Sequence, residues 1–125
     1  MPPVLLVMLG GAVGAGCRYG ATRAVAQMLG TGAPWGTWIV NLSGGFLMGV
    51  LAALMPRLGP SGESLRMFLA VGVLGGFTTF SAFSLETHTM LLRGQYAVAA
   101  AYILSSVAGS LIMLVAGIAF VRIME

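Results

Sequence analysis

Apolar residues run in four stretches along this chain, at about residues 4–27, 35–55, 65–92 and 96–121, each interrupted only by small or hydroxyl-bearing residues. About 20 consecutive apolar residues suffice to cross the hydrocarbon of a bilayer, so each stretch predicts a membrane-spanning helix. Turn formers and charges mark the links: Thr31, Gly32, Ala33 and Pro34, then Pro56 to Glu63, then Arg93 with Gly94. Links this short make neighbouring spans antiparallel, return both termini to one side, and leave no room for a soluble catalytic domain. The predicted fold is therefore an all-α integral membrane protein, a single four-helix transmembrane domain over residues 1–125.

The third span departs from the pattern in its middle, GVLGGFTTFSAFS from Gly72 to Ser84. Gly75 and Gly76 are poor helix formers, while Thr78, Thr79 and Ser81 can bond their own backbone in competition with the helical ladder. A break at mid-membrane is predicted. Unwound backbone at that depth needs protein, ions or water to satisfy its polar groups, so the break also predicts a site.

Two polar stripes face it. The second span carries Thr37, Asn41 and Gly45 at four-residue spacing, and the fourth carries Tyr102, Ser106 and Ser110 in the same way, so each set lies on one helical face. A single stripe of this kind reads as ordinary interhelical hydrogen bonding. Two stripes beside a broken helix read as donors lining a passage. Beyond the break follow Thr79, Phe80, Phe83 and Glu86. On their own Phe80 and Phe83 read as packing or lipid-facing rings; in the company of Thr78, Thr79, Ser81 and Asn41 their positive ring edges suit a small anion partly stripped of water. Glu86, the acid inside a span, suits proton relay, hydrogen bonding to Thr or Tyr hydroxyls, or a place near the interface; His88 belongs to the interface.

Composition narrows the class. With 58% hydrophobic and 7% charged residues and a mean hydropathy of +1.00, the chain has too few charges to cover a soluble sphere. The net charge of +3 comes from scattered arginines without a basic face, which gives no support to nucleic-acid binding. Cys17 has no cysteine to pair with and reads as a small packing residue. The amino-terminal run resembles a signal peptide superficially, but nothing basic precedes it, and it is read as a retained first helix. Its glycines do not complete a dinucleotide loop, because Tyr19 stands where the last glycine is needed and no strand precedes it. Gly10 with Gly14, Gly45 with Gly49 and Gly72 with Gly76 instead predict close helix packing in lipid. Without a second histidine or any aspartate, neither a transition-metal cluster nor a hydrolytic triad can be assembled, and no enzyme is expected.

Arginines set the expected orientation. Arg57, Arg66 and Arg122 fall on the side of the termini, Arg23, Arg93 and Arg18 on the other. With no bias to follow, insertion both ways up is expected, and its natural product is an antiparallel homodimer about an axis in the membrane plane. Arg18 lies about 20 Å along the first helix, where an unpaired charge costs several kcal/mol. It has two readings: snorkelling to the far interface near Tyr19, or lining a water-filled vestibule that draws anions inward. An anion path also needs positive charge at its centre. Carbonyls near Gly75 and Thr78, taken from two chains, form an oxygen cage suited to a hard cation such as Na+.

GxxxGAGCRYG around Arg18, GTWIVNLSGGFLMG from Gly36 to Gly49 and GVLGGFTTFSAFS from Gly72 to Ser84 resemble the signatures of the Fluc fluoride channels, also called the CrcB family. The resemblance covers nearly the whole chain, with Ala82 standing where threonine is common. It implies an antiparallel dual-topology dimer in the cell inner membrane, with two pores that export fluoride and so reduce its toxicity. It assigns Asn41, Phe80 and Phe83 to the pore, Thr37, Tyr102, Ser106 and Ser110 to a polar track, and Thr79 and Glu86 to polar positions toward one end. Gly75 and Thr78 match backbone ligands of a central structural Na+, and Arg18 the arginine of the first signature. The alternative is a small dual-topology, proton-coupled multidrug exporter, but such exporters depend on a carboxylate in the first span and this chain has none before Glu63. A packing subunit of a larger complex would explain the glycines and leave the stripes idle.

Overall fold

Every regular element in the computed structural model, which describes residues 1–125, is helical. Helix α1 spans Pro3–Leu29 and α2 spans Trp35–Leu54. A 3-10 turn, Met55–Gly62, leads to α3 over residues 63–77; α4 follows at Phe80–Leu92 and α5 at Tyr96–Ile123. The sequence explains the ends. Proline in the first turn of α1 lacks only an N–H that would have had no helical partner. Gly30 and Gly94 end their helices at φ +80° and +75°, a conformation that costs other residues a steric clash. Gly59, at φ +61°, breaks the 3-10 link.

Three runs are long and apolar enough to cross a membrane: Pro3–Leu29, Trp35–Leu92 and Tyr96–Ile123. The middle run has 58 residues. As one straight rod it would reach about 90 Å, three times the hydrocarbon thickness, so it must fold back. It does so at the Gly59 link and is interrupted again at Thr78 and Thr79.

Glycines decide which helices touch. In α1, Gly10 faces Phe68, Gly72 and Val73, and Gly14 faces Val73 and Phe77, so α1 and α3 run in the same direction. A Cβ added to Gly76 would lie 3.0 Å from the Cα of Gly11 and 3.1 Å from the amide of Ala15. Helices α2 and α5 pair likewise, Gly45 on Ser110, Gly49 on Leu114, and Gly117 on Phe46 and Val50. All three glycine pairs singled out in the sequence thus lie at helix contacts.

Burial inside the chain is sparse. Only 16 of 125 residues are buried, and large apolar side chains such as Leu104, Leu111, Ile112 and Val115 of α5 point outward. A single chain in water could not carry that surface; a lipid-embedded one can. Two ion pairs sit at one end, Arg57 with Glu125 and Arg66 with Glu63. The Arg66 guanidinium donates to Glu63 over 2.8 and 3.1 Å, which holds that exposed carboxyl below its usual range.

Three expectations need correction. Gly75 and Gly76 remain helical, and the extended residues are Thr78 (φ −85°, ψ 156°) and Thr79 (φ −148°, ψ 120°). Gly76 serves close packing instead, because its lack of a side chain is what lets α1 approach. Cys17 is exposed and fills no gap within the chain. Tyr19 pairs with Arg23 rather than Arg18, its hydroxyl accepting from that guanidinium over 3.1 Å.

Candidate functional site

Two successive threonines make the break. The Thr78 amide and hydroxyl both donate to the Leu74 carbonyl, at 3.0 and 2.9 Å, closing the last turn of α3. Thr79 then caps α4, its hydroxyl oxygen accepting from the Ala82 amide over 3.2 Å. A Cβ on Gly44 would overlap the Thr78 methyl, so α2 must be bare at that point for the extended residues to fit.

Asn41 of α2 meets the break edge on. Its Oδ1 accepts from the Thr79 amide over 2.7 Å, and its Nδ2 donates to the Thr79 carbonyl over 2.9 Å. One side-chain amide therefore replaces both backbone partners that unwinding removed. From the other side, Arg18 of α1 donates through Nε to the Gly76 carbonyl over 3.1 Å. A cation placed on the last carbonyls of α3 complements the negative end of that helix. This is a third role for Arg18, beside neither of the two expected from sequence.

The carbonyls of Leu74, Gly76 and Thr79 thus have donors, whereas no turn or cap bond ends on those of Gly75, Phe77 or Thr78. Gly75 is itself exposed.

Phe80 opens α4 and is 77% exposed, while Phe83 is buried. Their ring centroids lie 5.5 Å apart, and Phe83 continues to Tyr102 at 5.1 Å, with both pairs tilted by about 45° as ring edges and faces prefer. A cavity of about 460 Å³ collects Asn41, Gly45, Thr78, Thr79, Phe80, Phe83, Ser106 and Ser110. This brings together two members of each stripe, Asn41 and Gly45 with Ser106 and Ser110, and the aromatic pair. Thr37 and Glu86 lie elsewhere, on a second cavity of about 340 Å³. Tyr102 stands between: it stacks on Phe83 and approaches Glu86 and Thr37. The buried Glu86 Oε1, Tyr102 hydroxyl and Ser106 hydroxyl have no protein partner in hydrogen-bond geometry. Such groups carry a desolvation cost unless something else satisfies them.

Sequence reasoning missed the Arg18 to Gly76 bond and a tie from Trp38 Nε1 to the Ser105 hydroxyl, 3.0 Å. The position of Trp38 one residue past Thr37 was the only available signal, since Ser105 lies outside the four-residue stripe.

Apolar helices, a helix interrupted by hydrogen-bonded threonines and a mainly apolar cavity at the break that also collects hydroxyls, a carboxamide and two phenylalanines define a multi-pass membrane protein. Residues 5–118 match the family described as CrcB-like protein, Camphor Resistance (CrcB), and the chain belongs to that family. It is similar to proteins named fluoride-specific ion channel FluC. That of Chelativorans sp. (strain BNC1) is 47% identical over 119 residues, 95% of each chain. That of Sphingopyxis alaskensis is 47% identical over 116 residues, covering 93% of this chain and 92% of the relative. That of Caulobacter sp. (strain K31) is 48% identical over 123 residues, covering 98% and 96%. These names are of channels, in agreement with the expectation that the chain is not an enzyme.

Proposed function

We propose that this protein is a passive, fluoride-selective channel that lets fluoride leave the cytoplasm across the cell inner membrane, working as an antiparallel, dual-topology homodimer of four-span chains with two pores. The observation that carries the reading is the cavity at the break, where Asn41, Phe80, Phe83, Ser106 and Ser110 meet. The names of the relatives supply the ion. Fluoride is small and strongly hydrated, so selection over larger halides requires groups that replace its water without holding it firmly. Hydroxyls such as Ser106, which has no protein partner, and the edges of Phe80 and Phe83 have that character. No general base or nucleophile is needed, since nothing is made or broken.

The dimer reading rests on exposure. Phe80, a wall residue of the cavity, and Gly75, near the break, are both exposed, so a second copy would cover them and complete the wall. Two antiparallel copies would also bring the undonated carbonyls of Gly75 and Thr78 toward their symmetry mates. Hard oxygen ligands of this kind fit Na+. A bound Na+ would supply central positive charge and join the two chains, while Arg18 and Asn41 hold the neighbouring carbonyls in place.

Purified protein in liposomes, with fluoride release followed by an ion-selective electrode, tests the function. Rapid fluoride efflux without a proton gradient, and none for chloride, is expected. Efflux only with a proton gradient would indicate an exchanger, and no efflux would remove the reading. Preparation without Na+ is expected to lower both dimer content on size exclusion and fluoride flux; unchanged values would remove the cation from the account.

A further inference from the structure

The second cavity is set between the first link and the last. Gly30 to Trp35 form one wall, Arg93 and Gln95 the other, and Thr37 and Glu86 lie among its lining residues. It therefore opens at the helix ends opposite the chain termini. Tyr102 stands between it and the first cavity, approaching Thr37 and Glu86 on one side and lying against Phe83, a wall residue of the first cavity, on the other.

Its hydrogen-bond inventory is uneven. Thr22 and Thr89 have committed their hydroxyl protons to the carbonyls of Arg18 and Leu85. Arg93, Gln95, Thr31 and the Trp35 indole have no side-chain partner and remain free to donate. Arg23, the other cation near this end, is engaged with Tyr19. Glu86 alone would oppose an anion here. Arg93 lies on the same face of α4, two helical turns or about 10 Å further out, where its charge offsets the carboxylate and presents a positive rim.

We propose that this cavity is an anion-collecting antechamber, with Arg93 the cation that concentrates fluoride at its mouth and Gln95 and Trp35 the donors that receive the ion. It rests on the fluoride-conducting reading given above. An unpaired cation at the mouth of a low-dielectric cleft, set outside the carboxylate of Glu86, raises the local concentration of anions there, and salt screens the effect beyond a Debye length.

The test is initial fluoride efflux from liposomes at about 0.01 M and about 1 M impermeant salt, where the screening lengths are about 30 and 3 Å. Arg93→Gln is expected to slow efflux about three- to tenfold at low salt and less than about twofold at high salt. Arg93→Lys should keep the wild-type rate. Arg57→Gln, which removes a charge already paired with Glu125, should show no salt-dependent loss. An equal loss at both salt levels, or no loss at low salt, would overturn the antechamber. If Arg93→Gln does not fold, Arg93→Cys on a Cys17→Ser background is modified after reconstitution. A cationic thiol reagent should then restore the low-salt rate and an anionic one depress it; identical rates would overturn the proposal. A wild-type protein that passes no fluoride removes the channel reading and this one together, whereas a conducting protein indifferent to charge at 93 removes only the antechamber.

Discussion

Asn41 ties the break through its side-chain amide and also lines the cavity beside it, so in the proposed channel one side chain would serve both structure and passage. By receiving the Thr79 amide and donating to the Thr79 carbonyl it fixes the only extended backbone inside the helical run. Asn41→Leu would leave two part-buried backbone groups of Thr79 unpaired, at up to about 1–3 kcal/mol each. The expected result is a lower melting temperature in detergent together with at least tenfold slower fluoride efflux; normal melting with lost efflux would place the amide on the ion alone. The two phenylalanines divide differently. Phe80 is 77% exposed and Phe83 is packed on Tyr102. Phe80→Ile should therefore reduce efflux without changing the stability of the isolated chain, whereas Phe83→Ile should reduce both, as read by efflux and by thermal aggregation. Helical spacing, together with the neighbouring threonines, was enough to place Asn41, Phe80 and Phe83 near one another beside the break, where they line one cavity. It could not show that the carboxamide is engaged by the backbone, because that bond joins residues 38 apart.

Among the elements, α3 departs furthest from what its sequence suggests. Its residues Met67–Leu74 wind as a π-helix, a form that few compositional signals betray, before Thr78 and Thr79 leave helical geometry. Of the residues expected to cause the break, Thr78 and Thr79 do so, whereas Gly76 lets α1 and α3 approach backbone to backbone. In lipid, where no hydrophobic drive brings helices together, that approach is a main source of association. Gly14→Val should separate α1 from α3 and abolish folded protein on size exclusion, since an added Cβ would lie 2.8 Å from the Phe77 amide. Gly16→Ala, with nothing within 4 Å in the chain, should leave the fold intact. Equal behaviour of the two variants would contradict the packing described. Four-residue glycine spacing was legible in the sequence; which glycine met which helix was not, because partner choice depends on the fold-back at Gly59.

For the whole molecule, the outward face is the part left open by one chain. In the proposed dimer a second copy, inserted the opposite way, would cover exposed Phe80 and Gly75; with Arg18 bound at the break, three arginines stand at one end and two at the other, a difference too small to impose one orientation. Two arginines added within residues 56–63 should impose a single orientation and reduce dimer content, measured by reporter fusions and crosslinking; one proven orientation with unchanged dimer would defeat the antiparallel assembly.

Membrane residence, helical class and the short links followed from the sequence by itself, because they depend on the length of apolar runs and on local turn chemistry, which act over a few residues at a time. Tertiary structure alone decided where the third helix opens, that Arg18 holds the Gly76 carbonyl, and that Thr37 and Glu86 line a different cavity from Asn41 and Phe83. Each of those outcomes is set by a group distant in sequence supplying or denying a hydrogen bond, and in a medium without water that choice determines which backbone can unwind.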